Sequence, residues 1–218
     1  MLIIGAKGFA SEILEDVYNS KKNENIAFFD DINLNDPEIL FNRFRIIKNI
    51  DEASHFLKNN DTLFTIGIGR PKLRFKMYQK FTAIGGILQG TISPKASIGT
   101  FDVVIGEGTN ILNNAIISNA VKIGMGCIIY YNVILTHNCI IGHFVEISPN
   151  AILLGDVKIG DFTHVGSNAT ILPNIKVGKN VIVGAGSVVT KDIPDNCVVV
   201  GVPAVIIRNI DPLDIKIE

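Results

Sequence analysis

The sequence predicts two architectures in one chain, an α/β unit over residues 1–84 followed by a parallel β-helix over residues 85–218. Three observations carry this. From Ile105 every sixth residue is a branched aliphatic: Ile111, Ile117, Ile123, Ile129, Leu135, Ile141, Ile147, Leu153, Ile159, Val165, Ile171, Val177, Val183 and Val189 follow, fifteen hexads without a slip. Glycine comes directly after that aliphatic at Gly106, Gly124, Gly142, Gly160 and Gly178, which sets a second, longer period of three hexads. Upstream the rhythm changes, and short apolar runs alternate with segments of helical spacing.

Ahead of Gly85, MLIIG reads as a buried strand, Ser11 to Asn19 as a helix, and NIAFFDD as a second strand ending in two aspartates. FRIIKN is a short strand, Asp51 to Lys58 a helix, TLFTIGIG a strand, and Pro71 to Phe81 a helix with proline near its start. Alternating β and α elements predict a small parallel sheet covered by helices, a Rossmann-like βαβαβ unit. Ile84-Gly85-Gly86 is the expected hinge into the second domain.

In the hexads two positions face inward, because the fifth residue is also small or aliphatic, from Thr109 and Ala115 to Ser187 and Ile193. A helix of 3.6 residues per turn cannot hold such a pattern, whereas a parallel β-helix of hexapeptides can. Three hexads make one coil of a triangular prism, and five coils at strand spacing stack to roughly 24 Å. The glycine column suits a position of unusual φ or of close backbone approach at a corner. The beat starts imperfectly, since Ile92 and Ile98 are separated from Ile105 by one extra residue around Phe101 and Asp102, which predicts a bulge. After Pro194 the beat ends, and NCVVVGVPAVIIR is expected to cap the prism with a terminal strand or two.

Composition excludes several classes. The net charge is −1 and lysine and arginine form no long run, so no nucleic-acid footprint is present. MLIIGA is interrupted by Lys7 and Glu12, too soon for a signal peptide, and no apolar stretch reaches spanning length, so no membrane partner and a cytoplasmic location are expected. Of the three cysteines, Cys127 and Cys139 fall on inward fifth positions and read as small buried hydrophobes.

Two motifs can carry chemistry. GAKGFA, Gly5 to Ala10, links the first strand to its helix, where glycine lets backbone amides approach phosphate oxygens at a helix N-terminus. Asp30 and Asp31 end the second strand, where an acid can accept from ribose hydroxyls or a base. GIGRPKLR, including Gly67 and Ile68, supplies a third loop at the same sheet edge, with Arg70, Lys72 and Arg74 available to phosphates. A tight turn and a solvated acidic turn are the plainer reading of these residues. One βαβαβ half points to a mononucleotide derivative such as a nucleotide sugar. The second motif is LTHNCIIGH: His137 occupies the outward third position of its hexad, and a histidine there is a competent general base, though a lone outward histidine is more often a surface feature. His143 lies one hexad on and His164 in a later coil, so only a subunit interface could gather them around a metal, and no metal is expected.

GAKGFA, FFDD, IGIGRPKLR, LTHNCIIG, LLGDVKIG, SNATILPN, GAGSVV and GVPA occur in an order that resembles the bacterial sugar acetyltransferases of the left-handed β-helix superfamily, the PglD/NeuD type. The resemblance covers nearly the whole chain. It implies a left-handed coil, a homotrimer, acetyl-CoA as co-substrate in the groove between prisms, and a nucleotide-linked amino sugar, most readily a 4-amino-4,6-dideoxyhexose destined for surface polysaccharide or glycan. It implies His137 as general base and Gly155 as the backbone donor to the acetyl carbonyl, with Ser167 and Ala185 lining the coenzyme groove. Gly8, Phe9 and Ala10 then form the nucleotide turn, and Asp30 and Asp31 contact base or ribose. Two positions depart from the pattern. Asn138 follows His137 where some members have glutamate, so it can orient the ring without adding charge. Glu146 stands where some carry a second histidine near the acetyl group, which would bring a carboxylate to the thioester end of acetyl-CoA. O-acetylation of sialic acid or another hydroxyl, and a non-catalytic trimeric scaffold, are the alternative readings.

Overall fold

The computed structural model describes residues 1–20, 25–33 and 38–215. The chain forms two compact units, Met1–Ile92 and Ser93–Glu218.

The first unit is a six-stranded sheet. Its strands are β1 (Leu2–Ile4), β2 (Ala27–Phe29), β3 (Ile39–Leu40), β4 (Phe44–Ile47), β5 (Leu63–Ile66) and β6 (Ile87–Leu88), and its helices are α1 (Phe9–Ser20), α2 (Ile50–Asn59) and α3 (Pro71–Ala83). The order β3-β4-β2-β1-β5-β6 is parallel apart from β3, which runs antiparallel to β4. The predicted strands and helices are all present. Two short strands were not anticipated: β3 and β6, the latter lying just beyond the expected hinge and extending the first unit to Ile92. Helix α2 starts where Asn49 accepts the Glu52 N–H (2.9 Å), an N-cap, and Pro71 occupies the first turn of α3, where its missing N–H costs nothing. Phe81 meets Phe29 edge-on and Phe64 at a tilt, with centroids 4.9 and 5.6 Å apart.

The second unit is a prism of three parallel sheets in which each strand pairs with the one a full coil further on, for example Ile116 with Ile134 and Ile134 with Ile152. The inward first and fifth positions fill it: Ile111, Cys127, Ile129, Leu135, Cys139, Ile147, Leu153 and Val165 are all fully buried. Each such aliphatic contributes about 1.5–3 kcal/mol of burial free energy. The extra residue near Phe101 is absorbed in a turn with Asp102 at φ +54°, since Ser97–Ile98 still pairs with Ile116–Ile117. The end is a hairpin, Cys197–Gly201 against Ala204–Asn209, laid on the strand Ile182–Val183.

The corners depend on the fourth residue of each hexad. From Gly108 through Asn114, Asn132, Asn138, Asn150, Asp156, Asn168, Asn174 and Asn180 to Gly186 every fourth position has positive φ. Asparagine, aspartate and glycine tolerate that region best. Phe144 and Phe162 adopt it too, and compensate by burying stacked rings 5.8 Å apart above Gly126. The glycine column is therefore not where φ turns positive. A Cβ on Gly124 would lie 2.6 Å from the Gly142 carbonyl oxygen, and one on Gly106 2.5 Å from the Gly124 carbonyl carbon, so this column exists for close coil-to-coil approach.

Corner residues, most of them third positions, form a ladder. Asp161 Oδ1 accepts the His143 N–H (2.9 Å), His143 Nδ1 accepts the Met125 N–H (3.1 Å), Asp195 Oδ1 accepts the Lys179 N–H (2.7 Å) and Asn119 Oδ1 accepts the Phe101 N–H (3.1 Å). A side chain one coil on thus satisfies a corner amide that the sheet leaves over.

Candidate active site

The ladder lapses beside His137. The third-position residue one coil above His137 is Gly155, and above that is Pro173, neither of which has an acceptor to offer. Gly155 is buried, and among the described residues its N–H finds no acceptor in the chain. A buried amide without a partner is rare, which makes this N–H a candidate donor to a bound group. The third corner, carrying half-buried Ser167 and exposed Ala185, likewise leaves those two amides without an acceptor among the described residues.

Gly155 also makes room for the His137 ring. A Cβ there would overlap His137 Nε2 and lie 2.7 Å from Cε1, so the imidazole rests directly over the glycine backbone. His137 is well exposed, and the nearest ionic group to its Nε2 is Asp156 Oδ2 at 3.9 Å. Asn138 does not hold the ring as expected: its amide donates to Asp156 Oδ1 (3.0 Å) instead. The Asp156 N–H donates to the His137 carbonyl (3.1 Å), tying the two coils together at this corner. Asp156 was missed from the sequence, although it follows Asn138 by three hexads, in the same hexad position, and so was open to discovery by the coil period.

Cys139, two residues from His137, points inward, and its thiol contacts the Leu154 carbonyl (3.3 Å). Burial first, then the Asp156 charge, pushes its pKa up to about 11, so it offers no thiolate nucleophile. Glu146 does not meet His137 within the chain. It lies on a different sheet, where its carboxylate is 3.7 Å from His164 Nε2 and Ser148 Oγ is 2.8 Å from the same nitrogen. His143 is engaged by the Met125 amide, and among the described residues no cluster of three His, Cys, Asp or Glu is arranged around a metal.

In the first unit a cleft of about 660 Å³ opens at the ends of β1, β2 and β5. Gly5 to Phe9, Asp30 to Asn33, Gly67 to Arg70, Leu73 and Met77 line it, and the N-terminus of α1 contributes positive potential. Gly8 has φ +45° in the turn. Ala10 does not line the cleft; its Cα and Cβ fill the space where a Gly67 side chain would stand, both 2.5 Å from that Cβ position. Asp30 is committed to the loop, with Oδ1 accepting the N–H groups of Ile32 and Asn33 (3.0 Å each) and Oδ2 the Asn33 amide (2.8 Å). Partial burial pushes its pKa up, but the Asn33 and Ile32 hydrogen bonds and Lys48 outweigh this and hold it below 3.8. Asp31 pairs with Lys80 at 2.6 Å. Arg74 is buried and donates to the carbonyls of Ile68 and Gly69, so it shapes the third loop, and Lys7 and Arg70 are the cations that line the cleft.

Residues 1–81 match the PglD N-terminal domain, and residues 138–173 and 156–191 match the bacterial transferase hexapeptide of six repeats. No curated protein matches the chain significantly. Among solved structures, the acetyltransferase domain of PglB from Neisseria gonorrhoeae is 28% identical, with 94% of this chain and 98% of that one covered and a TM-score of 0.84. PerB from Caulobacter crescentus, solved with CoA and GDP-perosamine, is 28% identical over 94% and 95% of the two chains, TM-score 0.84. WeeI from Acinetobacter baumannii is 28% identical over 94% and 98%, TM-score 0.86. With a PglD N-terminal domain, transferase hexapeptides in a left-handed β-helix, and acetyltransferases aligned along nearly its full length, the chain is an acyltransferase similar throughout to the PglD-type left-handed β-helix sugar acetyltransferases.

Proposed function

We propose that the protein transfers the acetyl group of acetyl-CoA to the amine of a nucleotide-linked 4-amino-4,6-dideoxy sugar, as a cytoplasmic homotrimer supplying surface polysaccharide or glycan synthesis. The observation that carries this is the buried Gly155 N–H without an acceptor, set against the imidazole of His137. A base and an unmatched amide side by side suit acyl transfer, where a proton leaves the nucleophile as negative charge develops on oxygen. The amine attacks the thioester carbonyl, His137 takes the proton, and the Gly155 N–H receives the developing oxyanion. Collapse breaks the C–S bond and expels CoA, whose sulfur takes the proton from His137. No acyl-enzyme is needed, consistent with the inert Cys139. The amides of Ser167 and Ala185 serve the coenzyme's pantetheine chain, and the cleft of the first unit holds the nucleotide. PerB, which was solved with CoA and GDP-perosamine, supports both assignments by likeness.

The test is acetyl-CoA consumption against UDP-, dTDP- and GDP-linked 4-amino-4,6-dideoxy sugars, with His137→Ala beside the wild type. Turnover of one sugar, falling about 10²–10⁴-fold in the variant while CoA still binds, is expected. No turnover of any member, or an unimpaired variant, overturns the reading.

A further inference from the structure

We propose that Asp156 receives the ammonium group of the acceptor and thereby selects amine over hydroxyl acceptors. This rests on the acetyl-transfer reading above and specifies its substrate class.

The geometry is the starting point. Asp156 Oδ1 is occupied by the Asn138 amide at 3.0 Å, which fixes the carboxylate and leaves Oδ2 facing the His137 ring. Oδ2 stands 3.9 Å from Nε2. That is too long for a hydrogen bond, yet one atom can sit about 2.8 Å from both. Among the described residues no lysine or arginine pairs with Asp156, so this carboxylate is not already neutralised by a cation.

The atom that fits must donate twice. An aliphatic amine, with a pKa of about 10, is charged at neutral pH and presents three N–H groups. It can give one to Oδ2 and one to Nε2 and still turn its third to solvent. A hydroxyl has a single hydrogen, so it satisfies Nε2 or Oδ2 but not both. A site built to receive a donor discriminates strongly against an analogue that lacks it. Asn138 contributes by being neutral: it spends its amide on Oδ1 and adds no second charge beside the ammonium.

The protons balance. The ammonium releases one proton to solvent past Asp156, which is half exposed. As the C–N bond forms, the nitrogen gives a second to His137 Nε2, and His137 passes it to the CoA sulfur as the C–S bond breaks. The products are the amide, the CoA thiol and one free proton.

Calorimetric binding of two ligands to the intact protein at pH 7 tests this: the amino sugar that turns over in the panel above, and its analogue with hydroxyl at the same carbon. The wild type should bind the amine roughly ten-fold more tightly, the scale of a charge-assisted hydrogen bond. Asp156→Asn should abolish that preference while leaving hydroxyl affinity within about two-fold, and Asp156→Glu should restore part of it. A preference kept in Asp156→Asn, or equal weakening of both ligands, overturns the proposal and makes Asp156 a support for His137 alone. Amino-sugar turnover with no amine preference in the wild type sinks the proposal and leaves acetyl transfer standing. Absence of turnover with every sugar sinks both.

Discussion

Replacing Gly155 with alanine puts the proposed chemistry under direct strain. The added methyl would overlap His137 Nε2 and stand 2.7 Å from Cε1 and 3.1 Å from Cδ2, where ordinary carbon contacts begin near 3.4 Å or more. The ring must retreat by about 1 Å, and a misplacement of that size at a reacting group costs roughly 10²-fold in rate. The Gly155 N–H survives the substitution and its φ is not in the positive region, so the proposed oxyanion donor and the fold should both persist. The expected result is kcat lowered about 10²-fold with the thermal midpoint and CoA affinity close to wild type. Because alanine acts through the base, it should add little to His137→Ala in the double variant. Steady-state kinetics of the single and double variants, with calorimetric CoA binding, make the measurement. A Gly155→Ala enzyme with near-native kcat, or losses that multiply in the double variant, would refute the assignment of base and donor to one site.

Three further outcomes follow from the same geometry. Gly124→Ala should drive apart coils whose backbones leave 2.6 Å between that Cβ and the Gly142 oxygen, costing about 2 kcal/mol or more, and an unchanged thermal midpoint would contradict close approach as the reason for the glycine column. Gly67→Ala should clash with Ala10 at 2.5 Å, separating the third loop from α1; nucleotide binding by the intact protein should weaken while acetyl-CoA binding is kept, and undiminished nucleotide affinity would argue against the cleft. Asp30 has a lowered folded pKa, so its stabilisation is present above 3.8 and is lost as pH falls through the still lower folded value. Chemical denaturation should therefore show Asp30→Asn destabilised at pH 7 by about 1–3 kcal/mol and the gap closing under acid, whereas a gap independent of pH would contradict the charged role.

Much of the prism was legible because its contacts repeat. The phase that puts Leu135 and Cys139 inside puts His137 outside, and counting on by three hexads predicts which residues lie above one another. The same arithmetic places Asp156 over Asn138, and His164 over Glu146, so those pairings were present in the sequence without being drawn from it. The first unit yields less, since its decisive contacts have no period. Lys80 reaches Asp31 across 49 positions, and Arg74 looked like a phosphate ligand until its guanidinium was found turned toward loop carbonyls. The β3 and β6 strands are two residues each, too short for alternation to register. The glycine column was ambiguous for a related reason: sequence marks a missing Cβ but not whether torsion or proximity requires its absence.

At several corners of the prism a side chain one coil on answers the amide of the coil before, as at Phe101, Met125, His143 and Lys179. Gly155 and Pro173 withdraw that answer next to His137, and Ser167 and Ala185 sit on an edge where it is also withheld. In the proposed mechanism reactivity is created by subtraction: the site lies where the scaffold omits a side chain and a ligand would complete the pattern. In related prisms the place to look for acyl chemistry is then the edge along which side-chain acceptors stop, whatever residues surround it.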